Sequence, residues 1–320
     1  MRRSHAARGS STAPPRSAGR SAEAAVPRRW RIGDATITQV VEIESSSPAG
    51  FLFGDALTPE RIGRYAWLHP AHVDARGRLN GSIHCFVIES RGRRIAVDTC
   101  IGNDKPRGLP AWHLRQGTFL QDLADAGFPV ESIDTVLCTH LHVDHVGWNT
   151  RLVDGRWVPT FPNAEYLFGR VEYEHWASQD DGDTTNDPRQ ILADSVRPVL
   201  DAGLARLVDV DHVVTDEVRL ESTPGHTPGH VAVRIASGGE EAVITGDLMH
   251  HPVQCCEPDL CSRFDWRPDM ARRTRRDFLA GNAARGALVL GTHFAPPTGG
   301  WLVARDDGWE LVDARPVAGA

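Results

Sequence analysis

Residues 139–149, THLHVDHVGWN, place His140, His142, Asp144 and His145 within six positions. Imidazole and carboxylate groups crowded this closely call for a cation to hold them. Nitrogen and oxygen donors of this kind suit zinc, with manganese, iron or cobalt as alternatives. In an extended chain, alternation puts His140 and His142 on one side, and Asp144 and His145 are read as turning away from them. One short segment can therefore serve two metal centres. Three more donors stand elsewhere: His226 in TPGHTPGH, Asp247 in TGDLMHH and His293 in GTHF. Each of these segments follows an apolar run, as His140 follows IDTVLCT. Strand ends on one rim of a sheet converge in space and hold ligands rigidly, as a metal site requires.

The elements that must position these groups can be read from periodicity. ATITQVVEI alternates as a strand does, and SIHCFVIES and RRIAVDT flank RGR as a hairpin. VVTDEVRLEST, VAVRIAS and EAVITGD read as strands, and ALVLGTHF as the last strand. GTFLQDLADAGF, VEYEHWAS, ILADSVRPVLDAGL and MARRTRRDFLAGNAARG carry helical spacing. Strands outnumber the helices scattered among them, which predicts an α/β class of sheets with helices packed outside. Ordered structure is expected from Trp30. Residues 1–29 are rich in Arg, Ser and Pro without an apolar stretch and read as a disordered tail, leaving 30–320 as the folded domain.

Bulk properties narrow the function. The chain of 320 residues has a net charge of -7. Residues 1–29 hold seven Arg and one Glu, so the rest has 28 basic and 41 acidic residues, a net of -13. Such a body disfavours nucleic acid as a partner. No apolar run reaches the ~20 residues of a membrane span, which argues against a membrane partner. The six cysteines fit no zinc-ribbon or disulfide framework and read as reduced thiols of a cytoplasmic protein.

The combination of THLHVDH, TPGHTPGH, TGDLMHH and GTHF over about residues 35–300 resembles the metallo-β-lactamase superfamily. The resemblance implies an αββα sandwich, two facing mixed sheets with helices outside and metals at one edge. It implies that His140, His142 and His226 bind one ion, that Asp144, His145 and His293 bind a second, and that Asp247 bridges them. It also implies that His230 orients neighbours and that Asp98, in IAVDTCIGND, supports the ligand loop. FPNAEYLFGRVEYEHW and VDTCIGNDKP are similar to the homoserine-lactone lactonase and methyl-parathion-hydrolase-like branch. Many lactonases of that branch have a Tyr three residues after the bridging Asp, where this chain has His250.

The expected protein is a dinuclear hydrolase with two zinc ions, a small-molecule substrate and a metal-bridging hydroxide as nucleophile. It would open a lactone or cleave an ester-type bond. Asp144 is the expected proton shuttle, and His250 the expected hydrogen-bond donor to the reacting oxygen. Phosphotriester hydrolysis and thioester hydrolysis are the alternatives. A diiron redox protein and a metal-bound binding module are the non-hydrolytic ones, although the oxygen-reducing branch typically has a carboxylate where His142 stands. The resemblance leaves a homodimer open. Phe51, Phe53, Trp67, Trp112 and above all Trp148 are candidates for an apolar pocket wall. His69, His72, His113, His175 and His212 are expected to lie outside it.

Overall fold

The computed structural model describes residues 27–179, 187–306 and 308–313. The expected tail, save its last three residues, lies outside these. Strand β1 (Arg29–Ile32) begins one residue before Trp30 and pairs with β2 (Ala35–Ser47). β3 (Leu79–Ser90), β4 (Arg93–Val97) and β5 (Thr135–Leu137) follow. β6 (Thr150–Val153) and β7 (Arg156–Pro159) form a separate hairpin. β8 (Glu165–Gly169) and β9 (Ala205–Val208) complete a seven-stranded mixed sheet in the order β1-β2-β3-β4-β5-β8-β9.

The second sheet is also mixed and runs in chain order. It comprises β10 (Val213–Thr215), β11 (Val218–Ser222), β12 (Val231–Ser237), β13 (Glu240–Ile244), β14 (Leu288–Leu290), β15 (Gly299–Arg305) and β16 (Gly308–Val312). VVTDEVRLEST is thus a hairpin rather than one strand, because Asp216 and Glu217 turn the chain between β10 and β11. ALVLGTHF is not the last strand, since β15 and β16 extend the sheet beyond it.

Period-two burial decides the layering. In β3, Phe86 and Ile88 face inward and join Val233, Ile235, Ile244 and Leu290 of the other sheet in one core. Their neighbours Cys85 and Val87 face outward and pack with Phe119 and Leu123 of the helix Phe119–Asp125. On the far side Phe278 and Leu279 of the helix Pro268–Arg285 cover Ala232 and Val243. The result is an αββα sandwich, whose central strands such as β5, β12 and β14 are buried on both faces and therefore read as near-continuous apolar runs.

The segment ILADSVRPVLDAGL is helical, but it contains a π-helical turn at Leu192–Val196 between Pro188–Ile191 and Arg197–Asp201. Pro198 explains the irregularity. It offers no N–H to the carbonyl four residues back, that of Asp194. That carbonyl instead accepts from Lys105 Nζ at 3.2 Å and from the Thr150 hydroxyl. Arg107 grips the Asp194 carboxylate through two nitrogens, at 2.7 and 2.9 Å, and Lys105 Nζ lies 3.7 Å from the Trp157 ring centroid. This buried knot fixes the loop that carries Leu109 and Trp112.

Burial pushes Lys105 down from its ordinary 10.5 to about 7, against the pull of Asp194 and with repulsion from Arg107. Between those two pH values the unfolded chain binds the extra proton, so stability attributable to Lys105 rises with pH there. Its penalty is complete below about pH 7. Urea unfolding at pH 6.5 and pH 9 is expected to show a gain for the wild type over this interval that Lys105→Met lacks. Parallel profiles would refute it.

Candidate metal centre

The ligand loop is built by backbone capture. Asp98 accepts from Thr139 N at 2.8 Å and from its hydroxyl, and Glu172 accepts from Leu141 N at 3.2 Å. Thr99 N bonds the His145 carbonyl at 2.7 Å, and Gly147 N the Cys100 carbonyl at 2.7 Å. Gly147 must be glycine, since a Cβ there would stand 1.8 Å from the Ile101 carbonyl oxygen. Gly246 has φ +54°, and a Cβ on it would strike the His230 ring at 2.5 Å. Both glycines let backbone pass where a side chain would displace the site.

β5 delivers the 139–149 loop, β11 leads to His226, β13 to Asp247 and β14 to His293. Their donor atoms form two clusters, each within 4.8 Å: His140, His142, His226 and Asp247, then Asp144, His145 and His293. His142 Nδ1 lies 3.1 Å from His140 Nε2 and 2.9 Å from His226 Nε2. Asp247 spans the clusters. Its Oδ2 faces His226 Nε2 at 3.3 Å, and its Oδ1 faces His293 Nε2 at 3.1 Å and His145 Nε2 at 3.2 Å.

These residues fit a pair of metal ions. His145 Nε2 and Asp247 Oδ1 are buried and have no hydrogen-bond partner among the described residues, although they face each other. A buried lone pair left in this way is costly unless a cation takes it. Burial, then repulsion from neighbouring imidazoles, holds His140 and His142 well below the usual histidine range, so they are neutral donors. Burial also opposes charge on His293, but the Asp247 carboxylate prevails and lifts it to about 9.

The surrounding groups orient the donors. His230 is driven to about 3 by burial and by His226, and its neutral Nε2 accepts the Asp247 backbone N–H at 2.8 Å. Its Nδ1 lies 3.0 Å from the Thr223 carbonyl. Asp98 Oδ2 stands 3.0 Å from His145 Nδ1, and the Ser82 carbonyl accepts from His293 Nδ1 at 3.0 Å. Sequence reasoning missed Asp265, whose Oδ1 is 3.1 Å from His226 Nδ1. It also missed Glu172, which accepts from Leu141 N, Gly229 N and Trp176 Nε1. The only signal for Asp265 was an acid between two aromatics in RFDWRP.

The clusters open onto a pocket lined by Asp144, His250 and His293, with Phe51, Leu52, Leu109, Trp112 and Phe264 as apolar wall. Phe264 was not anticipated. Trp148, the favoured candidate, is core instead: it stacks on Phe119 at 5.9 Å and donates to Glu42 at 2.7 Å. The turn at Gly147–Asn149 directs it away from the metal side. Phe53 and Trp67 pack in the core as well. None of His69, His72, His113, His175 and His212 lines the pocket. His250 Nε2 faces Asp247 Oδ2 at 3.3 Å, whereas His251 turns away and bonds the His72 carbonyl at 2.8 Å.

The profile of the Metallo-beta-lactamase superfamily matches residues 78–314. The chain belongs to this superfamily. The N-acyl homoserine lactonase of Bacillus cereus is 27% identical over 177 residues, 49% of this chain and 59% of the relative. The match thus spans about three-fifths of that lactonase. The probable metallo-hydrolase YybB of Bacillus subtilis is 24% identical over 182 residues, 51% of this chain and 76% of the relative. The dizinc quorum-quenching lactonase AidC superposes with a TM-score of 0.75 at 18% identity, over 91% of this chain and 98% of AidC. The superfamily hydrolase AbOPH gives 0.73 at 23% identity, over 90% and 98%. Both structures share the sandwich.

Proposed function

We propose that this superfamily member is a dinuclear metal-dependent hydrolase that opens a lactone or cleaves an ester-type bond. One observation carries the reading: seven nitrogen and oxygen donors are joined across two clusters by Asp247, and five of them, His142, Asp144, His226, Asp247 and His293, line an apolar pocket. Zinc is the proposed ion, two per chain, with His140, His142 and His226 on one side, Asp144, His145 and His293 on the other, and Asp247 between. Ions held there supply Lewis acidity to the substrate's oxygen and bring the ionisation of water towards neutral pH.

The chain's own residues do the rest. Asp144 lines the pocket, and its proposed role is to take the proton of the attacking water and return it to the leaving oxygen. His250 reaches the same space and donates a hydrogen bond to the carbonyl oxygen as charge develops. Leu109, Trp112, Phe51 and Phe264 hold an apolar substituent and exclude water. No Lys or Arg lines this pocket among the described residues, which favours a small uncharged ester over a nucleic-acid backbone. Six free thiols, five of them buried, support a cytoplasmic setting.

Chelation is expected to abolish hydrolysis of lactones or aryl esters, and zinc to restore it. A panel adding phosphotriesters, a β-lactam and a glutathione thioester fixes the bond type. Reloaded protein that turns over none of them, or that consumes oxygen, would sink the hydrolase reading.

A further inference from the structure

The loop 262–266, between the Val253–Cys256 helix and the last helix, meets both the metal cluster and the pocket. Asp265 and His226 are buried side by side, with Oδ1 and Nδ1 3.1 Å apart. An acceptor at Nδ1 selects the tautomer whose Nε2 carries the free lone pair. That Nε2 is the atom aimed at His142 and Asp247.

Asp265 is itself fixed. Its Oδ2 accepts from Ser262 N at 2.9 Å, and Arg275 Nη2 lies 3.5 Å away with both side chains fully buried. Arg275 also donates to the carbonyls of Leu248, next to Asp247, and of Pro258 and Leu260, each at 2.9 Å. Backbone bonds from Trp266 N to the His226 carbonyl and from Arg267 N to the Gly225 carbonyl join the loop to the ligand turn. Arg263 N bonds the Leu52 carbonyl at 2.8 Å, tying the loop to the pocket wall. Between these anchors Phe264 reaches the pocket, 5.7 Å from the Phe51 ring.

We propose that 262–266 is a double-acting element: Asp265 is the positioning residue for His226, and Phe264, its neighbour, is a specificity residue for the substrate's apolar part. This rests on the hydrolase reading for Phe264 and on the metal-holding role of His226 for Asp265. A carboxylate partner, which His145 also has in Asp98, sets His226 apart from His140, whose Nδ1 meets the Thr139 hydroxyl, and from His293, which meets a backbone carbonyl. Charge on the acceptor raises the basicity of the imidazole and tightens its grip on a metal.

The test uses the full chain with zinc alone as probe, read by competition with a chelating dye, and cobalt(II) absorption as a second readout. Asp265→Asn is expected to weaken one of the two zinc sites by about 10–100-fold and to alter the cobalt spectrum. The metal-free variant should still fold but melt somewhat below the wild type, since it removes the charge that pairs with buried Arg275. Phe264→Ala is expected to keep both zinc affinities and to raise KM on the best panel substrate with little change in kcat. Unchanged zinc affinity in Asp265→Asn overturns the positioning role. So does an equal loss of affinity at both zinc sites, which would make the loop a scaffold only. Loss of zinc in Phe264→Ala overturns the division of labour. A wild type that binds two zinc ions but hydrolyses nothing defeats the hydrolase reading and the role of Phe264, leaving the Asp265 test standing.

Discussion

Replacing Asp247 by Ala is expected to cut the metal content from two ions to one or fewer and to take hydrolysis down to the level of the chelated protein. The reason is geometric. Oδ2 of this carboxylate faces the imidazole of His226, and Oδ1 faces those of His145 and His293. Among the described residues it is the carboxylate that faces imidazole nitrogens of both clusters, at 3.1–3.3 Å. The loss should exceed the ~10–100-fold typical of removing a group that only supports a ligand. Elemental analysis after loading and dialysis, run beside a turnover assay, checks it. Two retained ions with useful activity would show that Asp247 does not join the centre. Asp247→Asn keeps the shape and the His230 contact to the backbone, so it separates lost charge from lost packing.

The second large effect is expected at His250. Truncation to Ala should lower kcat by about 10²–10³, the loss that follows removal of one donor to a developing oxyanion. Metal content and thermal melting should stay at wild-type values. His250 is buried at the pocket floor, and its ring lies parallel to that of His293 at 5.8 Å between centroids. Its Nε2 stands 3.3 Å from Asp247 Oδ2, so a bracing role is the competing account. Bracing predicts that His250→Ala loses metal along with activity. A variant with full activity and full metal has no role for His250 in turnover.

The sandwich and the convergence of His140, His142, Asp144, His145, His226, Asp247 and His293 were legible because both follow local rules. Apolar runs of strand length marked the sheets, and each donor stood just beyond one. What escaped depends on tertiary direction. Trp148 stands three residues past His145, yet a tight turn aims it at Phe119 and Glu42. Asp265 and Phe264 enter the site from a loop with no periodicity. Phe51 and Trp112, by contrast, are wall candidates that do line the pocket, although the five-residue helix that carries Phe51, Ala49–Phe53, is too short to leave a helical pattern. The π turn could have been anticipated from Pro198, but its use by Lys105 needed the fold.

The donor loop 139–149 hangs from one sheet, whereas His226, Asp247 and His293 hang from the other. Ions shared between them would act as staples across the sandwich, engaging the native state and not the unfolded chain. Mass action then links folding to metal supply: a free ion concentration 100 times its dissociation constant adds about 2.7 kcal/mol per site. In a cell short of the metal the newly made chain would lose that reinforcement and spend longer open to proteases. The abundance of the protein, and not merely its turnover rate, would track the metal available to it.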